Sequence, residues 1–269
     1  MEISELLTKV RFYKLSRVVN TSIRQAFAGY VALYHNGDKE YDSHIQLKHE
    51  HTRRVCEEIR SLGESLGMNT EELDFVEVLG WLHDIGRFEQ YDRYATFADA
   101  ESENHARISL RVIQKLGLLK DLDQEKKEII RQAILNHNLP RLPGINSPEV
   151  DFYSRLLRDA DKLDIWRVSL EYNIFHRIKT GSFPDTYKVP GDLLKCFEEE
   201  RIIFLDQVDS FYDSILFRMS WIYDLSFPHT FRRVKERGIL QGLAAKLPAS
   251  GDVENIVARA NAYINTHAS

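Results

Sequence analysis

The chain has 269 residues, enough for one large domain or for a domain with a sizeable extension. Apolar residues at 43% and charged residues at 29% describe an ordinary globular protein. A formal net charge of −5 excludes a general attraction to polyanions, so no broad nucleic-acid surface is expected.

Two cysteines, Cys56 and Cys196, form no CxxC pair, and both sit in amphipathic segments that read as sites of buried free thiols. The N-terminus MEISELLTKVRFYK is charged from its second residue and has no apolar leader core. No run reaches the length of a membrane span. A cytoplasmic protein with no membrane partner is expected.

Apolar residues recur at spacings of three and four, and period-2 alternation is nearly absent, which points to an all-α protein. In chain order the expected helices cover 3–34 (broken), 44–66, 70–86, 101–116, 123–138 and 147–178. A long helix follows over 191–224, then shorter ones over 228–246 and 251–266. Asn69 with Glu72 forms a capping-box pattern, and Gly86 is suited to end the helix that follows. Ser147–Pro148 reads as N-cap and N1, after a proline-broken loop, NHNLPRLPGINSP. TGSFPDTYKVPG (180–191) is the best candidate joint. Beyond it, a stripe at 194, 197, 204, 208, 211, 215, 219 and 222 is expected to pack on the same helical body. A homodimer interface is its second reading.

Several polar residues fall on apolar stripes. His83 follows Val76 and Leu79 at +7 and +4, on the inward face of its helix. His51 lies between Leu47 and Val55, His105 precedes Ile108 and Val112, and His137 follows Ile130 and Ile134. Asp161 is flanked by Leu157 and Ile165, while Asp84 sits one residue round from the stripe of its helix. One such histidine reads as a hydrogen-bonded core residue. Four histidines and two aspartates on five helices read as a site for a divalent metal with mixed nitrogen and oxygen ligands. His35, His44, His49, His176, His229 and His267 read as surface residues.

The order His51, His83–Asp84, His105, His137, Asp161, with HDIG at the centre and RDADKLD (158–164) at the end, resembles the HD-domain superfamily of metal-dependent phosphohydrolases. The resemblance covers about residues 44–170 and implies one all-α HD-type domain, a helical bundle with additional N- and C-terminal helices, the C-terminal extension over about 190–269. It implies that His51, His83, Asp84 and Asp161 bind a first metal, that His105 and His137 bind a second, and that Asp84 bridges them. The cofactor would be one or two divalent ions, of Mn, Fe, Mg, Co, Ni or Zn. Arg87, where relatives often carry the lysine of HDIGK, is the nearest candidate for holding phosphate and stabilising developing charge, with Arg54 and Lys162 as further substrate contacts. Asp159 and Asp164 read as supporting residues.

The implied activity is hydrolysis of a nucleotide or small phosphate ester by a metal-activated water. The loop after His137 has neither a second adjacent histidine nor a GYP signature, which disfavours cyclic-dinucleotide hydrolysis. Two alternatives stand beside it: a non-catalytic nucleotide-binding module, and a di-iron oxygenase on the same ligand set.

Overall fold

The structure is a computed structural model and describes residues 3–172 and 187–269. All of its regular structure is helical, as the periodicity predicts. The chain divides into two compact units, residues 1–161 and 162–269.

In the first unit, α1 (Ile3–Lys9) and α2 (Arg17–Ala32) precede the long α3 (Lys39–Ser65). Asp38 caps α3, its side chain accepting from Tyr41 N at 2.8 Å. α4 (Thr70–His83) starts at the capping box read from the sequence, with Asn69 accepting from Glu72 N and Glu72 accepting from Asn69 N. Every residue of α4 from Leu73 to His83 is buried. A helix covered on all sides belongs at the centre of its unit, and α4 packs against α2, α3, α6 and α7. Gly80 permits the approach of α3, because a Cβ there would lie 2.8 Å from Cys56 Sγ and 3.0 Å from its Cα.

The sequence reading that Gly86 ends this helix is corrected. α4 stops at His83; Asp84 leaves the helical region with φ −109° and ψ 12°, and Gly86 opens a new helix, α5 (Gly86–Tyr94). The glycine is needed for a close approach. A Cβ at position 86 would lie 2.3 Å from Ser109 N and 2.8 Å from His105 O, on the backbone of α6 (His105–Leu116). A short 3-10 turn (Asp99–Glu101) lies between α5 and α6. α7 (Gln124–His137) ends at the expected loop, and α8 (Pro148–Tyr172) begins with Ser147 Oγ accepting from Val150 N at 3.2 Å. The extension of α8 to 178 and most of the expected joint, 180–186, lie outside the described residues.

In the second unit the expected helix over 191–224 is broken. α9 (Gly191–Glu198) ends where Glu200 turns left-handed at φ 51°, and α10 (Phe211–Ser220) begins after a Ser210 cap. The expected helix over 228–246 is likewise divided at Gly238, φ 60°, into α11 (Pro228–Glu236) and α12 (Ile239–Ala244). α13 (Gly251–His267) closes the chain. Phe197, Ile215, Met219 and Ile222 of the predicted stripe are buried in this unit's own core, with Leu194, Val208 and Phe211 packed against it. Those residues therefore cover each other within the unit. Cys56 and Cys196 are buried free thiols. No described helix is long and apolar enough to cross a membrane.

Candidate metal centre

The six residues singled out as ligands all lie in the first unit, and five of them, His51, His83, Asp84, His105 and His137, are buried. Asp161 is largely buried, its side chain 13% exposed. Asp84 stands between them, with its two oxygens facing different partners. Oδ2 lies 3.5 Å from His51 Nε2 and 3.8 Å from His83 Nε2. Oδ1 lies 3.4 Å from His105 Nε2 and 3.8 Å from His137 Nε2. Asp161 Oδ1 completes the first group, 3.2 Å from His51 Nε2 and 3.8 Å from His83 Nε2. His51, His83 and Asp161 on one side, and His83, Asp84 and His137 on another, are grouped closely enough to hold an ion.

The histidine tautomers follow from their outer hydrogen bonds. His83 Nδ1 donates to Gly80 O at 2.8 Å, and His137 Nδ1 donates to Ile134 O at 2.6 Å. His105 Nδ1 donates to the Asp99 carboxylate, 2.7 Å from Oδ2. With the proton on Nδ1, each Nε2 presents a lone pair inward, the arrangement that histidine ligands adopt. Among the described residues His83 Nε2 has no hydrogen-bond partner although its side chain is wholly buried. Leaving such an atom unsatisfied costs about 1–3 kcal/mol.

His105 Nε2 and His137 Nε2 lie 3.0 Å apart. Both being lone-pair atoms, they repel unless a proton or a metal ion stands beside them. Burial, with Arg87 nearby, pushes the His105 pKa down to about 3, which removes the proton at neutral pH. Burial likewise lowers His83 to about 4. Neutral imidazoles are the metal-binding form. Burial opposes ionisation of Asp84, but the charges of Lys48 and Arg87 foremost outweigh it and hold its carboxyl well below the usual range. Burial is outweighed at Asp161 too, chiefly by His51, so it also stays ionised. The donor set and its protonation therefore fit a divalent ion.

Local packing holds these groups in place. Ser109 Oγ accepts from Gly86 N at 2.9 Å and donates to His83 O at 2.8 Å, tying the end of α4 to α6. Arg158 of α8, itself buried, donates to Asn136 O, His137 O and Leu139 O, closing the C-terminus of α7 behind His137.

Arg87 lies at the centre. Its Nε donates to Asp84 Oδ1 at 3.3 Å, and Nη1 bonds Gln90 Oε1, Phe97 O and Asp99 Oδ1. Nη2 has no hydrogen-bond partner among the described residues. Arg54 is buried on α3, three residues after His51. Lys162 belongs to the second unit and pairs there with Asp224 Oδ2 at 2.7 Å. Asp159 and Asp164 are buried.

Sequence reasoning missed two contributors. Lys48 Nζ lies 3.0 Å from Asp84 Oδ2, and Asp99 joins His105 to Arg87, Gln90 and Asn138. Lys48 precedes His51 by three residues, so its helical face was readable from spacing. No local pattern marked Asp99. Of the histidines read as surface residues, His49 is half-buried against Phe27, its pKa lowered by burial; His176 lies outside the described residues.

A helical body that gathers imidazoles and carboxylates from five helices defines an all-α protein with a candidate divalent-metal centre. Residues 49–166 match the family model of the HD domain, a match that supports the resemblance to the HD-domain superfamily. No curated protein and no solved structure gives a match to the chain.

Proposed function

We propose that this protein is a metal-dependent phosphohydrolase acting on a nucleotide or small phosphate ester, with two divalent ions bridged by Asp84. The observation that carries this reading is the division of the Asp84 carboxylate. Oδ2 faces His51 and His83, and Oδ1 faces His105 and His137, so each oxygen has its own imidazole pair. His51, His83, Asp84 and Asp161 would hold one ion; His105, His137 and Asp84 would hold the other. Such ions lower the pKa of water and neutralise phosphoryl charge.

The chain's own residues supply orientation and charge. Hydrogen bonds from Nδ1 fix the rings of His83, His105 and His137, which limits each Nε2 to one direction. Arg87 is anchored through Nε and Nη1, and its Nη2 is the group offered to a phosphoryl oxygen, where a fixed guanidinium stabilises developing negative charge. Arg54 is a secondary candidate for the same role.

The test is metal content together with turnover. The purified chain is expected to hold two ions, and His105→Ala to hold one. Phosphate release from a panel of nucleotides and phosphomonoesters is expected to fall to background in Asp84→Asn. Full hydrolysis in that variant, or iron with dioxygen consumption and no phosphoester cleavage, would overturn the reading.

A further inference from the structure

Asp84 Oδ2 faces His51 and His83, yet its nearest cation is the ammonium of Lys48, 3.0 Å away. We propose that Lys48 is a phosphate-binding residue of this centre, resting on Asp84 until the metals are in place. The inference builds on the phosphohydrolase reading and adds to it the group that recognises the substrate's anionic end.

The two cations flanking Asp84 are anchored differently. Arg87 bonds Oδ1 through Nε, but Nη1 is also held by Phe97 O, Gln90 Oε1 and Asp99 Oδ1. It keeps its position whatever Asp84 does. Lys48 has one carboxylate within ion-pair distance among the described residues, Asp84, and beyond it only the ring of Phe97, 5.4 Å from Nζ. Its side chain is 18% exposed, so water screens it only partly.

Metal binding upsets this balance. When Oδ2 becomes a ligand, its charge is committed to a divalent ion, and that ion repels the neighbouring ammonium. Two divalent ions would outweigh the charges of Asp84, Asp161 and Asp99, so the centre would carry net positive charge before Lys48 and Arg87 are counted. A half-buried ammonium in that field needs an anion. A phosphate group satisfies it, and the three N–H donors of Lys48 suit a tetrahedral oxyanion. Lys48 lies on α3, one turn before His51 and on the same helical face, so its head reaches the metal side of the helix. Arg87 flanks the same carboxylate at its other oxygen, through Nε, and the two cations together would hold a phosphate.

The experiment uses the manganese-loaded full chain and inorganic phosphate, with metal content measured by elemental analysis and phosphate affinity by calorimetry. Lys48→Gln is expected to retain both ions, at equal or tighter metal affinity, because a competing cation is gone. Its phosphate Kd is expected to rise at least about tenfold, in line with the loss of a charge-assisted contact. Lys48→Arg should restore most of that loss. Lys48→Met, which keeps the packing on Phe97, is a second variant that should behave as Lys48→Gln does. Unchanged phosphate affinity in these variants would overturn the proposal. So would loss of metal with a proportionate loss of phosphate binding, because Lys48 would then only orient Asp84. Turnover separates the two readings: phosphate binding that depends on Lys48 in a wild-type chain that cleaves no phosphoester would remove the enzyme and leave this inference standing.

Discussion

Asp99 shows how one carboxylate, six residues before His105 and on no apolar stripe, can decide the state of that histidine. It accepts from His105 Nδ1, from the His105 backbone N–H, and from Arg87, Gln90 and Asn138. Although burial opposes its ionisation, these partners, His105 foremost, hold its pKa at about 2. It therefore stays charged and fixes the proton of His105 on Nδ1. If two ions bind as proposed, Asp99→Asn should weaken the one held by His105 and His137 by about 10–100-fold while leaving the other in place, the usual effect of removing a group behind a histidine ligand. A metal titration that resolves the two stoichiometric steps would check this; equal weakening of both would show that Asp99 supports the unit as a whole.

The elements show why a helix of ordinary composition carries the site. α4 is buried on every side from Leu73 onward, so its C-terminus ends inside the unit, with His83 fully buried and Asp84 nearly so. The chain escapes through Asp84 and Ile85 into α5, and α5 must pass against the backbone of α6 to do so. Gly86→Ala would place a methyl carbon 2.3 Å from Ser109 N, a contact that only backbone displacement relieves. The expected cost is at least about 1–3 kcal/mol of overpacking, with loss of the Gly86–Ser109–His83 hydrogen bonds in addition. Denaturant unfolding would measure it, and metal content should fall too, because α6 carries His105. An alanine variant as stable as the wild type would show that α5 and α6 separate freely.

At the scale of the whole molecule, pH should act through the buried histidines. His83 and His105 have pKa values lowered by burial from 6.5 to about 4 and about 3. The unfolded chain takes up protons that these rings refuse, so their contribution is fully present above about 6.5 and is lost as pH falls through 4 and 3. Asp99, lowered from 3.8 to about 2, acts in the same direction at more acid pH. The metal-free protein should therefore melt at steadily lower temperature from pH 7 to pH 4 in thermal unfolding with chelator. Added metal should oppose this at neutral pH, by about 2.7 kcal/mol at a hundredfold excess over its Kd, and should lose its effect in acid as protons compete for Nε2. A melting temperature flat from pH 7 to pH 4 would mean that the rings are not held neutral.

Much of this was legible in the residues. Helical periodicity is local, so spacings of three, four and seven were enough to place His51, His83, His105, His137 and Asp161 on inward faces, and the capping box at Asn69 marked where α4 begins. The break between α9 and α10 was less visible, because Glu200 turns left-handed without a glycine to announce it, although Ser210 before Asp213 was a readable cap. The 3-10 turn that brings Asp99 to His105 has no periodic signal at all.

What the sequence alone determined is the helical class, the inward histidines and aspartates and the HD pairing, since each depends on neighbours within a few turns. Only the tertiary structure decided which ring nitrogen faces the centre, that Asp84 divides its oxygens between two histidine pairs, and that Lys48 and Asp99 join them. The division of Asp84 and the Lys48 contact depend on helices far apart in the chain, while the rings are fixed by nearer acceptors, Gly80 O, Ile134 O and Asp99, whose placement the fold decides. A lysine or aspartate in a polar setting reads as solvent-facing until another helix is laid against it.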